Sequence, residues 1–291
     1  MSKHLPLLAI LWAYLLAGSL YAVYTPPWQA PDEPAHYNYI RQLADGRFPV
    51  MQNQDYDEAY RNAAVSSGFA AQYDITRLSY EDYQPPLYYL LQTPLFWLTG
   101  GHLVALRLMA VLLGAITLTL AYNVAQHVFQ QRWLALTAVA FIAFLPQHVA
   151  IQASLNNDAL SELLIAAMLA VLVRYHPHHQ RENMHFRLLA LLLGLGFLTK
   201  VTTYLMAPVI AVPLLWHNWP QVSSTIRKGL QQIALPAALL GSLWWVRNLT
   251  VYGWPDFLGI EAHDAAVVGQ LLTKDYIAQQ GVNNALQAFI Y

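Results

Sequence analysis

Cysteine is absent from the 291 residues, which excludes disulfides, thiol catalysis and Cys-ligated metal and leaves the redox compartment open. Charge is scarce as well: 11% of residues are charged, against roughly 25% in an ordinary soluble protein. The 15 Lys and Arg are balanced by 16 Asp and Glu, so no basic excess exists to hold a nucleic acid. Phosphate-binding glycine loops, zinc-protease motifs and nucleophile elbows are missing. Internal repeats are not evident either, which counts against a repeat-built transporter. What is abundant is apolar side chains, 57% of the total, arranged in blocks. A helix that crosses a bilayer needs about 20 predominantly apolar residues, and several blocks approach or exceed that. The composition excludes a disordered chain, argues against a soluble domain and predicts a polytopic membrane protein.

The first block, Leu5 to Tyr24, follows Lys3 and His4. A cleaved signal peptide is the rival reading, but the run is long for a signal core and no clear small-x-small site follows. It reads as a retained anchor. A polar loop over residues 25–84 carries nine acids (Asp32, Glu33, Asp45, Asp55, Asp57, Glu58, Asp74, Glu81, Asp82) and four arginines. Leu87 to Thr99 is too short to cross and contains Pro94, so it predicts an interfacial helix anchored by Tyr88, Tyr89 and Trp97. Further spans are predicted near 103–128, 133–150, 158–173 and 230–246, with two shorter apolar runs, 188–199 and 204–216, around Lys200. The expected architecture is an all-α transmembrane bundle of about seven spans, with interfacial helices in the first outer loop. It forms one domain over 1–291, with 25–99 as the outer loop. Residues 247–291 form a second outer segment that reads as the approach to a missing C-terminal part, in a truncated form or a fragment.

Sidedness follows from the basic residues. With the N-terminus inside and 87–99 interfacial, the cytoplasmic side holds Lys3, Arg132, Arg174, Arg181, Arg187, Arg227 and Lys228 against one acid, Glu182. The other eight of the 15 basic residues and the other fifteen of the 16 acids lie opposite. Short basic loops belong inside.

Four features could carry chemistry, and each has a plainer reading. Adjacent Asp32 and Glu33, in Trp28-Gln-Ala-Pro-Asp32-Glu33-Pro-Ala-His36-Tyr37, sit just outside the first span. Carboxylates beside a membrane can take a proton or hold a hard cation, or simply form a solvated, proline-stiffened loop. Asn156-Asn157-Asp158 could be only a helix cap, but Asp158 falls on the same side as Asp32. Arg107, Lys200 and Arg247 stand alone beside apolar runs, where ionisable groups tend to face a polar cavity. Snorkelling to the interface is the favoured plain reading for Arg107 and Arg247, whereas Lys200, between two short apolar runs, is harder to dismiss. In Tyr83-Gln84-Pro85-Pro86 the prolines start a helix, and Gln84 could reach a polar ligand. His176, His178, His179 and His185 fall in a short cytoplasmic loop without helical ligand spacing and read as solvated. The sequon at Asn248-Leu-Thr250 abuts a span, which disfavours its modification.

The order of these elements resembles the C-type membrane glycosyltransferase superfamily. The likeness is to the protein O-mannosyltransferase-like branch, which includes the bacterial lipid A aminoarabinose transferases. It rests on Pro-Asp32-Glu33 after an N-terminal span, an outer loop closing in Gln84-Pro-Pro-Leu-Tyr-Tyr, and Asn157-Asp158 opening a helix. Leu198-Thr-Lys200 between short helices and Trp245-Val-Arg247-Asn248 before Tyr252-Gly253 complete it, so the resemblance runs along essentially the whole chain. It implies an integral protein of a bacterial plasma membrane, with a cytoplasmic N-terminus and a periplasmic or extracellular active site. Such an enzyme passes a sugar from a polyprenyl-phosphate donor to a lipid, glycan or protein acceptor. The resemblance implies that Asp32 is the catalytic base, Glu33 orients the loop or acceptor, and Asp158 faces the same cavity. Lys200, with Arg107 or Arg247, would meet the departing phosphate, and Gln84 would bind substrate. Relatives divide over a divalent metal, so the resemblance leaves one open. Where aminoarabinose transferases carry Glu-Lys, this chain has Tyr83-Gln84, which argues against that particular substrate.

Two other classes remain: a polytopic transporter, which expects a cavity near the bilayer midplane, and a non-catalytic scaffold, which expects Asp32 and Asp158 far apart.

Overall fold

The computed structural model describes residues 5–176, 182–219, 221–269 and 273–284. His178, His179 and Arg181 of the basic loop, and the final residues 285–291, lie outside the described residues. Among the described residues every regular element is helical and no strand is present.

Helix α1 (Leu5–Tyr24) carries no charge. Its outward face (Leu8, Trp12, Leu16, Leu20) recurs every fourth residue and is exposed, which is the pattern of a helix that meets lipid. The outer loop then folds on itself as α2 (Glu33–Ala44), α3 (Glu58–Ser66) and a 3₁₀ turn (Ile75–Arg77). Pro34 is tolerated in the first turn of α2 because no intrahelical N–H is needed there. The Asp57 side chain caps α3 by accepting from the Tyr60 N–H at 3.0 Å. The interfacial segment is α4 (Leu87–Thr99), and α5 (Leu103–Phe129) is the longest helix described.

The next stretch departs from a single span. It divides into α6 (Arg132–Ala143) and α7 (Pro146–Gln152), bent by 65°, because Pro146 cannot continue the preceding helix but can open a new one. Then follow α8 (Asp158–Leu172), α9 (Glu182–Phe197), a 3₁₀ turn (Val201–Leu205) and α10 (Met206–His217). Helix α11 (Val222–Gly229) runs through a π turn (Leu230–Ala234) into α12 (Leu235–Tyr252). Pro236 has no N–H to give to the preceding turn, which accounts for the widened hydrogen bonding there. Short helices α13 (Ile260–Ala266) and α14 (Thr273–Gln280) follow.

Among the described residues α1 and α5 are long and apolar enough to cross a membrane, and the bent α6–α7 pair makes a third. The expected seven are therefore not met by length. Helix α8, at 15 residues, is about 22 Å long, short of the ~30 Å hydrocarbon core. Hydrophobic runs in a sequence pass over a turn or a proline that ends a helix.

Helix α5 is the hub: α1, α6 and α8 pack on it, and α9 joins α8 to α12. Gly114 permits the close approach of α1 and α7 to α5, since a Cβ there would strike the Tyr14 hydroxyl and lie 3.0 Å from Gln152 Oε1. Small residues at such contacts are the usual device for packing helices in lipid.

Candidate functional site

The helix ends nearest the outer loop converge on a cavity of about 170 Å³. Asp32 enters it from the residue before α2, Gln84 from just before α4, Asp158 from the start of α8 and Lys200 from the turn after α9. The four are far apart in sequence, and antiparallel packing of α8 and α9 puts the start of one beside the end of the other.

Lys200 Nζ lies 2.6 Å from Asp158 Oδ1. Asp32 Oδ1 accepts the Tyr80 hydroxyl at 3.0 Å. Asn157 holds the rim together: its Nδ2 donates to Gln84 Oε1 at 3.2 Å and to the Thr199 carbonyl at 3.3 Å. The Leu87 N–H reaches the Leu198 carbonyl at 2.8 Å, which fixes the turn carrying Lys200 against the start of α4. Asn157 Oδ1 is buried without a hydrogen-bond partner. Capping falls to its neighbour, as Asn156 Oδ1 accepts the Asp158 N–H at 2.9 Å.

Two wall residues escaped the sequence reading. Glu81 donates no obvious motif signal, yet it is buried in the wall and accepts from Gln84 Nε2 at 2.8 Å. Burial, reinforced by the negative charge of Asp32, pushes its carboxyl up to about 8. His36, one turn into α2, contacts the Tyr89 hydroxyl at 2.9 Å. Burial, with the Lys200 charge second, brings its imidazole down to about 3, so it is neutral at physiological pH. The spacing of Glu81 from Gln84, three residues, is the one signal that could have found it.

Three expected substrate residues are placed elsewhere. Glu33 and Arg107 do not line this cavity. They form a buried pair, with Arg107 Nε 2.7 Å from Glu33 Oε1. Arg107 also donates to the carbonyls of Ala22 at 3.0 Å and Thr25 at 2.7 Å, while Glu33 accepts the N–H of Trp28 at 3.0 Å and Leu155 at 3.2 Å. Their polar atoms are committed to joining α1, α2, α5 and the 153–157 turn, because a buried charge must be paired and hydrogen-bonded. Nor does Arg107 snorkel, being 1% exposed. Arg247 lines a separate, mostly apolar groove of about 480 Å³ with Phe48, Leu90, Leu198 and Trp244. Its guanidinium lies 4.7 Å from the Trp244 ring centre and donates to the Pro49 carbonyl.

Among the described residues no three His, Asp or Glu side chains gather as a metal site. Asp158 is paired with Lys200 and Asp32 with Tyr80.

The model of the dolichyl-phosphate-mannose-protein mannosyltransferase family matches residues 83–245, more than half of the chain. The chain belongs to this family. It is a membrane protein of a glycosyltransferase family, as the ordered motifs and apolar helices imply. The matched stretch includes Gln84, Arg107, Asp158 and Lys200, whereas Asp32 and Glu33 precede it and Arg247 follows it. No curated protein and no solved structure matches the chain.

Proposed function

We propose that the protein transfers a sugar from a polyprenyl-phosphate donor to a hydroxyl of a lipid, glycan or protein acceptor, on the periplasmic or extracellular face. The observation that carries this reading is the grouping of Asp32, Asp158 and Lys200 around one polar cavity at the helix ends. A scaffold has no need of that convergence. A transporter would place its charges near the bilayer midplane, and these lie at one end of the bundle.

Asp32 is the base. It takes the proton of the acceptor hydroxyl as that oxygen attacks the anomeric carbon. The bond from that carbon to the phosphate oxygen breaks, and the lipid phosphate departs with the electron pair. Lys200 faces the charge that develops on it, and Asp158 holds the ammonium in place. The leaving group is already a phosphate, so it needs a fixed positive charge rather than a general acid. Gln84 positions the donor through its contacts to Asn157 and Glu81.

The apolar groove beside Arg247 suits the carrier chain. It shares the 198–200 turn with the cavity: Leu198 lines the groove and Lys200 the cavity. A phosphate bound at Lys200 would thus leave its isoprenoid tail beside Leu198, Leu243 and Trp244. Glu33 and Arg107 act as positioning residues, holding the Asp32 turn against α5.

Joined with their flanking turns, the shorter helices would complete a bundle of about seven spans, with the N-terminus and the basic loops in the cytoplasm of a bacterial plasma membrane. Incubating the reconstituted protein with radiolabelled polyprenyl-phosphate sugars tests the reading. Label moving from the donor to an acceptor, or to water, is the expected result, and an intact donor across the panel would count against a transferase.

A further inference from the structure

Asp32 has a second open side. There lies a cavity of about 530 Å³, roughly three times the volume of the one it shares with Lys200, bounded by the 28–34 turn, α3 and Tyr80. Only Pro31 and Asp32 line both. A molecule in either cavity therefore lies against Asp32.

The backbone around this second cavity is held in unfavourable conformations. Among the described residues four that are not glycine have positive φ: Trp28 (70°), Asp32 (58°), Phe69 (57°) and Gln130 (53°). Gln130 ends α5, where a left-handed residue is ordinary. The other three all line the second cavity and come from two separate loops. A left-handed non-glycine residue is strained and persists where its surroundings impose it, typically at ligand sites. Here the turns present two aromatic side chains and a carboxylate to one space.

Arg61, Tyr80 and Asp32 line the same walls, and the Tyr80 hydroxyl donates to Asp32. One guanidinium and one carboxylate leave the walls without net charge, which disfavours an anionic ligand. Aromatic rings of Trp28 and Phe69 can pack on the C–H face of a pyranose while Arg61 and Asp32 engage its hydroxyls. The volume lies within the usual range for small-ligand sites, about 300–1,000 Å³.

We propose that this second cavity is the acceptor subsite and that it takes a neutral saccharide, one hydroxyl of which meets Asp32. The word acceptor rests on the transferase reading above; the saccharide site does not, because binding there needs no donor.

Saturation-transfer NMR on the full chain in nanodiscs, with mannotriose as the probe and a Ser/Thr-rich decapeptide as the competing class, tests it. Mannotriose is expected to bind wild type and Lys200→Ala alike, and to bind Phe69→Ala and Arg61→Gln about tenfold more weakly. Should Phe69→Ala fail to fold, Ser66→Trp on the exposed end of α3 narrows the same cavity without disturbing the core, and the same loss is expected. Absence of saccharide binding, binding indifferent to these variants, or binding of the peptide alone would each overturn the proposal. Donor turnover is not measured in this experiment, so a failed transfer assay and a failed saccharide site give separate results.

Discussion

Lys200 Nζ and Asp158 Oδ1 meet at 2.6 Å across the rim of the cavity that Asp32 also lines. The carboxylate opens α8 and the ammonium follows α9, so the pair joins two neighbouring helix ends. Being partly exposed, at 22% for Lys200 and 37% for Asp158, it contributes little to stability. Its value lies in where it fixes the positive charge.

Lys200→Ala is therefore expected to leave the unfolding temperature nearly unchanged and to lower kcat/KM by about 10²–10³-fold, the usual effect of removing one group that stabilises developing charge. Lys200→Arg should restore part of the loss. Initial rates at varied donor concentration check this, and a Lys200→Ala enzyme with wild-type rates would remove the residue from the mechanism.

Glu33 and Arg107 should behave in the opposite way. Removing one partner of a fully buried, hydrogen-bonded pair strands the other, which costs about 3–5 kcal/mol. Arg107→Met or Glu33→Gln should thus destabilise strongly, and the double variant should cost less than the two single losses added together. Denaturant unfolding in mild detergent measures all three. Additive losses would show that the two side chains do not act as a pair.

Stability against pH should carry the mark of Glu81. Burial pushes its carboxyl up to about 8 from the ordinary 4.5, so between these values the unfolded chain binds fewer protons and stability falls as pH rises. Asp82, also raised to about 8 by burial, acts in the same direction. His36 opposes them: lowered to about 3 from 6.5, it adds stability as pH rises between those values and nothing above. From pH 6.5 to 8 only the carboxyls remain, each with a slope of at most about 1.4 kcal/mol per pH unit. Glu81→Gln should halve the decline in that window. An unaltered pH profile would mean that Glu81 is already ionised in the folded protein.

Gly114→Ala would stabilise an ordinary helix by about 0.8–1 kcal/mol. Here the added methyl meets the Tyr14 hydroxyl and Gln152, so a loss of about 1–3 kcal/mol is expected from overpacking. Thermal unfolding decides the sign.

Much of this architecture is legible in the sequence. The boundaries of α1 and α4 coincide with apolar runs, since an uncharged stretch flanked by polar residues leaves few other places to end. The basic loops place Asp32, Gln84, Asp158 and Lys200 on one expected side, and the four line one cavity. The pairing of Glu33 with Arg107 could not be read, because the two are 74 residues apart and periodicity carries no distance. Beside an apolar run, an arginine bound to a buried carboxylate looks the same as one bound to substrate. For the same reason the sequence does not show that Arg247 lines a groove separate from the cavity of Lys200, and reading 133–150 as one span passes over the break that Pro146 makes between α6 and α7.

The most direct test of the transferase account compares wild type and Asp32→Asn in reconstituted membranes supplied with a polyprenyl-phosphate sugar. Loss of transfer by about 10²–10⁴-fold, with expression and unfolding temperature retained, is the result expected when a general base is removed. Transfer at the wild-type rate by Asp32→Asn would contradict the assignment of that carboxylate and, with it, the mechanism built around the cavity.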